Sequence, residues 1–188
     1  MGRFSNYIDS ITEYRQSRKS IGMSIFGVLL DDSTIFTPGD MLNVYEHVPE
    51  ALSVLNQKGY DFVLITGQPN RRSKNIDQKD FENIIAAMQE MFTDLGCTIR
   101  GSYYTNLTEK SDPYVKPNTG MFKKAESDKK ITWNESFYIG VDTNDIKAAN
   151  AVNATPILLG TLSDIDSVSL NKINLQTFNN LLDFAKAV

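Results

Sequence analysis

Short apolar runs alternate with helical patterns along most of this 188-residue chain. Runs that read as strands buried in a sheet lie at 25–30, 62–66, 101–105, 136–140 and 155–159. Apolar residues at helical spacing predict helices at 49–58, 79–95, 120–127, 145–152 and 174–187. Strand–helix alternation of this kind predicts an α/β domain built on a doubly wound parallel sheet.

Composition and charge narrow the classes of function. The net charge of −4 offers no basic excess to replace the counterions of nucleic acid, and it argues against an anionic membrane surface. Cys97 is the single cysteine, so we expect no intrachain disulfide and no cysteine metal cage, and we interpret it as a small buried apolar residue. No apolar run is long enough to span a membrane, and residues 1–20 lack the apolar core of a signal peptide. A cytoplasmic protein is expected.

The first 20 residues form a separate unit in the sequence. Phe4, Ile8, Ile11 and Arg15 fall at helical spacing, and residues 17–20 look like a hinge. Two interpretations stay open: a short helix that packs on its own domain, or an arm that docks on a protein partner or a second copy of the chain. The predicted organisation is an N-terminal helical arm at 1–20 and an α/β domain at 21–188.

Polar side chains follow four of the predicted elements, at 31–34, 66–70, 116–120 and 140–145. In a doubly wound sheet, ligands bind at the carboxyl ends of the strands, so these loops are expected to converge. Together they supply carboxylates, hydroxyls and Lys116. Phosphoryl transfer uses such a set, because carboxylates attack phosphorus or hold a metal while hydroxyls and a lysine bind phosphate oxygens.

Several of these segments resemble motifs of the haloacid-dehalogenase-like (HAD-like) superfamily, and specifically its histidinol-phosphate and heptose-bisphosphate phosphatase branch. The run 48–68 resembles that branch's approach to its second motif, 116–121 resembles its lysine motif, and 138–149 resembles its fourth motif. The resemblance implies a HAD-like Rossmannoid sheet with little or no cap domain. It also implies a Mg²⁺-dependent phosphomonoesterase wherever the catalytic carboxylates are in place.

Two of the family's carboxylate positions are altered. The first motif, Asp-x-Asp-Gly-Thr, aligned without gaps on its threonine, places Asp32 at the second aspartate and Leu30 at the nucleophile. The fourth motif, aligned on its last aspartate as Asp145, places Val141 where the family has a metal-holding aspartate. In this register both the nucleophile and a metal ligand are aliphatic.

A competing register shifts each position by one residue. Asp31 and Asp142 directly follow the two aliphatic positions, and a local bulge could return each carboxylate to the site. Against this, side chains alternate faces along a strand, so a one-residue slip points the group away. The branch's zinc loop is absent, because 103–115 contains neither cysteine nor histidine, and no zinc is expected.

The predicted site residues fall into three groups. The catalytic candidates are Asp31 and Asp32, and the phosphate-binding candidates are Thr66, Gln68 and Lys116. In an active enzyme, the metal candidates are Asp31, Asp142 and Asp145. The resemblance gives Asp145 the role of orienting the lysine, although a residue at the start of a helix is equally a plain N-cap.

The altered motifs favour a phosphatase-fold protein whose catalysis is lost or impaired and which acts as a binding or assembly module. Its expected ligand is a small anion or phosphate, and no cofactor is expected. One alternative is an active Mg²⁺-dependent phosphatase of a small phosphorylated metabolite that uses Asp31. Another is a structural subunit of a larger assembly.

Overall fold

The computed structural model describes residues 18–31, 42–68, 76–161 and 173–188, and its centre is a six-stranded sheet. The strands are β1 (Lys19–Met23), β2 (Tyr60–Thr66), β3 (Ile99–Tyr104), β4 (Phe137–Gly140), β5 (Thr155–Leu159) and β6 (Gln176–Phe178). The helices are α1 (Val48–Gln57), α2 (Gln78–Asp94), α3 (Gly120–Ser127), α4 (Thr143–Ala151) and α5 (Leu181–Ala187). All strand pairs are parallel, in the order β3-β2-β1-β4-β5-β6. The predicted doubly wound α/β fold is confirmed.

The helices cover both faces of this sheet. On one face, α1, α2 and α5 pack on side chains such as Ile21, Phe62 and Leu64. On the other face, α3 and α4 pack on Val63 and Ile65. Successive residues of β2 thus serve opposite cores, which explains why the strand is apolar without a break from Phe62 to Ile65.

The first strand lies earlier in the chain than predicted. The run 25–30 is a turn closed by bonds from the Leu29 and Leu30 amides to the Ile25 carbonyl, at 2.8 and 3.0 Å. Gly27 interrupts any strand there because its φ is +78°, in the left-handed region. The first strand of the sheet is β1. Its apolar pattern is not recognisable in the sequence, because Ser20 and Gly22 interrupt it. A Cβ on Gly22 would lie 2.6 Å from the Trp133 ring, so only glycine fits at this central position.

The C-terminal helix predicted at 174–187 is also corrected. Its first part is the edge strand β6, and the helix begins only at Leu181. The Asn180 side chain caps that helix by accepting a bond from the Asp183 amide at 2.9 Å. Phe178 on β6 packs edge-on against Phe184 on α5, so the strand and the helix share one apolar cluster.

The predicted N-terminal arm falls almost entirely outside the described residues. Its last two residues, Lys19 and Ser20, pair with Tyr60 and Asp61 as the start of β1, so the predicted hinge ends inside the sheet. The docking role of the arm stays a prediction. Within the ranges that the structure describes, none of the helices combines the length and apolarity needed to cross a bilayer.

Cys97 is expected to react slowly with thiol reagents in the folded chain. It is buried at 7% exposure, and burial raises its thiol pKa from 9.0 to about 11. Since the folded state holds the proton to higher pH than the unfolded state, stability from this group is lost as pH rises from 9 towards 11. Labelling by an aromatic disulfide at pH 8 should run at the rate of unfolding. Labelling of folded chain as fast as in urea would contradict this assignment.

Candidate functional site

The candidate site lies where the strand order reverses. β1 and β4 are neighbours, and from them the chain winds outward in opposite directions, to β2 and β3 and to β5 and β6. A cavity of about 200 Å³ opens at the carboxyl ends of these strands. Ser24 follows β1, Gly67 follows β2 and Val141 follows β4, and all three line it. This is the position predicted for ligand binding in a doubly wound sheet.

A lysine–aspartate ion pair forms one wall of the cavity. Lys116 Nζ contacts Asp145 Oδ1, and the two side chains are 12% and 2% exposed. Backbone groups hold the carboxylate from the other side, since the Val141 amide donates to Asp145 Oδ2 at 3.0 Å. The Lys116–Asp145 contact is the one that an orienting role for Asp145 requires, and the role itself stays a prediction. The helix is capped instead by Asp142, which accepts from the Asp145 amide at 2.8 Å.

Tyr138 links this pair to the end of β1. Its hydroxyl lies 3.2 Å from Asp145 Oδ1 and 3.4 Å from Lys116 Nζ, donates to the Ile65 carbonyl at 3.0 Å, and hydrogen-bonds Ser24. Burial, followed by the charge of Asp145, raises the tyrosine pKa well above 10. The phenol is therefore a neutral group at neutral pH, and its hydrogen bonds hold it beside the Lys116–Asp145 pair.

Gly140 allows Asp145 to reach this position. A Cβ built on Gly140 would lie 2.2 Å from Asp145 Cβ, closer than any carbon–carbon contact tolerates. The glycine of the fourth motif is thus required by close approach of the side chain that holds Lys116.

The corrected β1 changes the register of the first motif. Gly27 is the glycine that follows the strand, and aligning the motif on it places Ser24 and Phe26 at the two aspartate positions. Both residues line the cavity, and a Cβ on Gly27 would lie 2.8 Å from the Val141 side chain. Sequence analysis missed Ser24 and Phe26 because it placed the strand at 25–30. The signal that could have found them is Gly27 three residues after Ser24.

The predicted catalytic aspartates do not enter this arrangement. The Asp31 amide donates to the Asn43 carbonyl at 3.0 Å, its carboxylate accepts from Asn43 Nδ2 at 3.5 Å, and it does not line the cavity. Asp32 lies outside the described residues. The competing register, in which Asp31 and Asp142 converge, is therefore wrong for Asp31, because the turn at 25–30 carries it away from the sheet edge. Asp142 does line the cavity.

The three predicted phosphate-binding residues have different environments. Lys116 lines the cavity, whereas Thr66 is fully buried beside Gly67 at the end of β2. The Thr66 hydroxyl has no hydrogen-bond partner among the described residues. The Gln68 amide is used in a cross-link: its Nε2 donates to the carbonyls of Ile76 and Asn106 at 2.6 and 2.9 Å. Gln68 thus braces the wall of the cavity.

Comparison with known proteins identifies what this architecture is similar to. The family model described as polynucleotide kinase 3 phosphatase matches residues 32–167. A D-glycero-beta-D-manno-heptose-1,7-bisphosphate 7-phosphatase from Photorhabdus laumondii subsp. laumondii is 29% identical over 79% of this chain and 84% of its own length. One from Haemophilus ducreyi is 27% identical over 91% of this chain and 98% of its own length.

Solved structures show the same fold. The D,D-heptose 1,7-bisphosphate phosphatase from B. bronchiseptica, complexed with magnesium and phosphate, superposes with a TM-score of 0.73 at 19% identity, over 89% of this chain and 96% of that one. The corresponding enzyme from Burkholderia thailandensis gives a TM-score of 0.62 at 16% identity, over 90% and 97% of the two chains.

These findings correct the functional prediction. Sequence analysis favoured a binding or assembly module with lost or impaired catalysis, and that prediction is wrong by these comparisons. The relatives that align with most of the chain are named phosphatases, which favours the alternative of a phosphatase.

Proposed function

Because the chain belongs to the polynucleotide kinase 3 phosphatase family of the HAD-like superfamily, we propose that it hydrolyses the phosphomonoester of a small phosphorylated metabolite. The observation that carries the proposal is the Lys116–Asp145 pair at the switch point, where a buried carboxylate aims an ammonium along one wall of the cavity. A cation held in this way favours a phosphate dianion over a neutral ligand.

The size of the cavity suits a phosphate and a small attached group. Its volume of about 200 Å³ lies below that of pockets that enclose drug-sized ligands. The outer wall comes from the loop after β3, where Leu107 and Thr108 line the cavity together with Lys110. This loop is the part of the site that would contact the alcohol portion of a substrate.

The side chain of Ser24 limits the chemical route that hydrolysis can take. It stands at the end of β1, where the resembled family carries its nucleophilic aspartate, so hydrolysis here forms no aspartyl intermediate at that position. The Ser24 hydroxyl and the Lys116 ammonium are the groups of this chain proposed to contact the phosphoryl group.

Phosphate release by the full chain tests the proposal. We expect turnover of at least one of p-nitrophenyl phosphate, histidinol phosphate and a heptose bisphosphate, assayed with and without Mg²⁺. Lys116→Met is expected to lower kcat/KM by about tenfold or more, because a charged hydrogen bond to phosphate is lost. Lys123→Met, which removes an exposed lysine on α3, should leave turnover unchanged.

Two further variants test whether Ser24 or Asp31 belongs to the site that releases phosphate. Ser24→Ala is expected to reduce turnover, whereas Asp31→Asn should retain it, since Asp31 does not line the cavity. Loss of activity in Asp31→Asn alone would contradict the site described here. The absence of phosphate release from every substrate would overturn the proposed function.

A further inference from the structure

We infer that the cavity binds a phosphate group without a divalent cation, with Lys116 supplying the positive charge that a metal would otherwise provide. The inference rests on the proposed function for the identity of the ligand. The side chains that line the cavity do not match the magnesium that the fold family implies.

Magnesium sites in phosphate-handling proteins use one or two carboxylates together with phosphate oxygens and water. The places where the resembled family has its catalytic and metal-holding carboxylates carry Ser24, Phe26 and Val141 in this chain. Phe26 is 8% exposed and packs edge-on against Phe81, so the phenyl ring is anchored in the core. Two of the three side chains are therefore apolar and present no oxygen to a metal.

The aspartates that remain near the cavity already have structural partners. Asp145 uses Oδ1 for Lys116 and Oδ2 for the Val141 amide, while Asp142 Oδ1 caps α4. Across the described ranges, no three His, Cys, Asp or Glu side chains come close enough together to hold a metal ion. The predicted metal set of Asp31, Asp142 and Asp145 is not brought together, because Asp31 does not line the cavity. Of the two aspartates that do, Asp145 is neutralised by Lys116 and Asp142 caps α4, so the described residues fit a Mg²⁺ site poorly.

The same region is equipped for an anion. The Lys116 ammonium has three N–H groups and contacts two oxygens, on Asp145 and Tyr138, which leaves one N–H for a phosphate oxygen. Lys110 adds a second ammonium on the outer wall, and the Ser24 hydroxyl lies on the inner wall. The Asp145 carboxylate offsets part of the charge of Lys116, so the attraction for an anion comes from a directed N–H···O bond in poorly screened surroundings.

Binding of inorganic phosphate to the full chain, measured by calorimetry at pH 7.5, tests the inference. The dissociation constant should agree within about twofold between buffer with EDTA and buffer with millimolar Mg²⁺. This comparison uses the unaltered protein, so it does not depend on whether any variant folds. Affinity that appears only with Mg²⁺, or that rises tenfold with it, would overturn the inference, as would the absence of binding in EDTA.

Two lysine variants test whether Lys116 supplies the positive charge that binds phosphate. Lys116→Met is expected to weaken phosphate binding by about tenfold or more, with Lys123→Met as the control of equal charge change. A Lys116→Met chain that folds and binds phosphate as tightly as the parent would contradict the role of Lys116.

Phosphate release, measured on the same preparation, keeps the two proposals apart. Metal-free binding without turnover contradicts only the proposed function. Turnover and binding that both require Mg²⁺ contradict only the present inference.

Discussion

Replacing Asp145 with alanine is expected to lower the free energy of unfolding by about 3–5 kcal/mol, the usual effect of removing one partner from a buried ion pair. The Lys116 ammonium, only 12% exposed, would lose its counter-charge, and the Val141 amide would lose its acceptor. Urea denaturation of the full chain, followed by tryptophan fluorescence, measures the change, because Trp133 is the single tryptophan and is fully buried.

The neighbouring Asp142 supplies the matched control. Asp142→Ala removes a helix cap on the same loop and should cost about 1 kcal/mol, with the ion pair intact. Adding Lys116→Met to Asp145→Ala should recover part of the loss, since the unpaired ammonium is then removed as well. If Asp145→Ala were no more destabilising than Asp142→Ala, the buried pair would not contribute to stability in the way that its burial indicates.

The sheet was predictable because β2 and β5 carry unbroken apolar runs, at 62–65 and 156–159, a pattern that needs cover on both faces. β1 was not predictable from the sequence, although it lies at the centre of the sheet. Its Ser20 hydroxyl donates to the Lys130 carbonyl at 3.2 Å, and Gly22 makes room for Trp133. Both features depend on residues more than 100 positions away, and a local pattern cannot reveal them.

The placement of the first strand at 25–30 also determined which site residues could be predicted. Lys116 and Asp145 were identified because their motifs have the family's spacing, and the structure pairs them. Asp31 was selected because it follows an apolar run that was taken for the strand. That run is apolar because its turn is buried, so hydrophobicity alone could not separate a buried turn from a buried strand. The positive φ of Gly27 separates them, and it becomes visible only in three dimensions.

Trp133→Ala is expected to cost about 3–5 kcal/mol, in the range of large aromatic truncations in protein cores. The indole is fully buried, donates from Nε1 to the Phe122 carbonyl at 2.9 Å, and contacts the rings of Phe122 and Tyr138 at centroid distances of 5.0 and 6.1 Å. Since the Tyr138 hydroxyl contacts Lys116 and Asp145, the same variant should weaken phosphate binding. Chemical denaturation monitored by far-ultraviolet circular dichroism provides the measurement.

Gly22 offers a sharper test of the same packing. A Cβ there would lie 2.6 and 2.7 Å from two indole carbons and 2.9 Å from the Tyr138 ring, so Gly22→Ala alone should be strongly destabilising. In a Trp133→Phe background the indole carbons are gone, and the added methyl group should cost measurably less. A double-mutant cycle measures this coupling. Additive losses would show that Gly22 and Trp133 are not in the contact described.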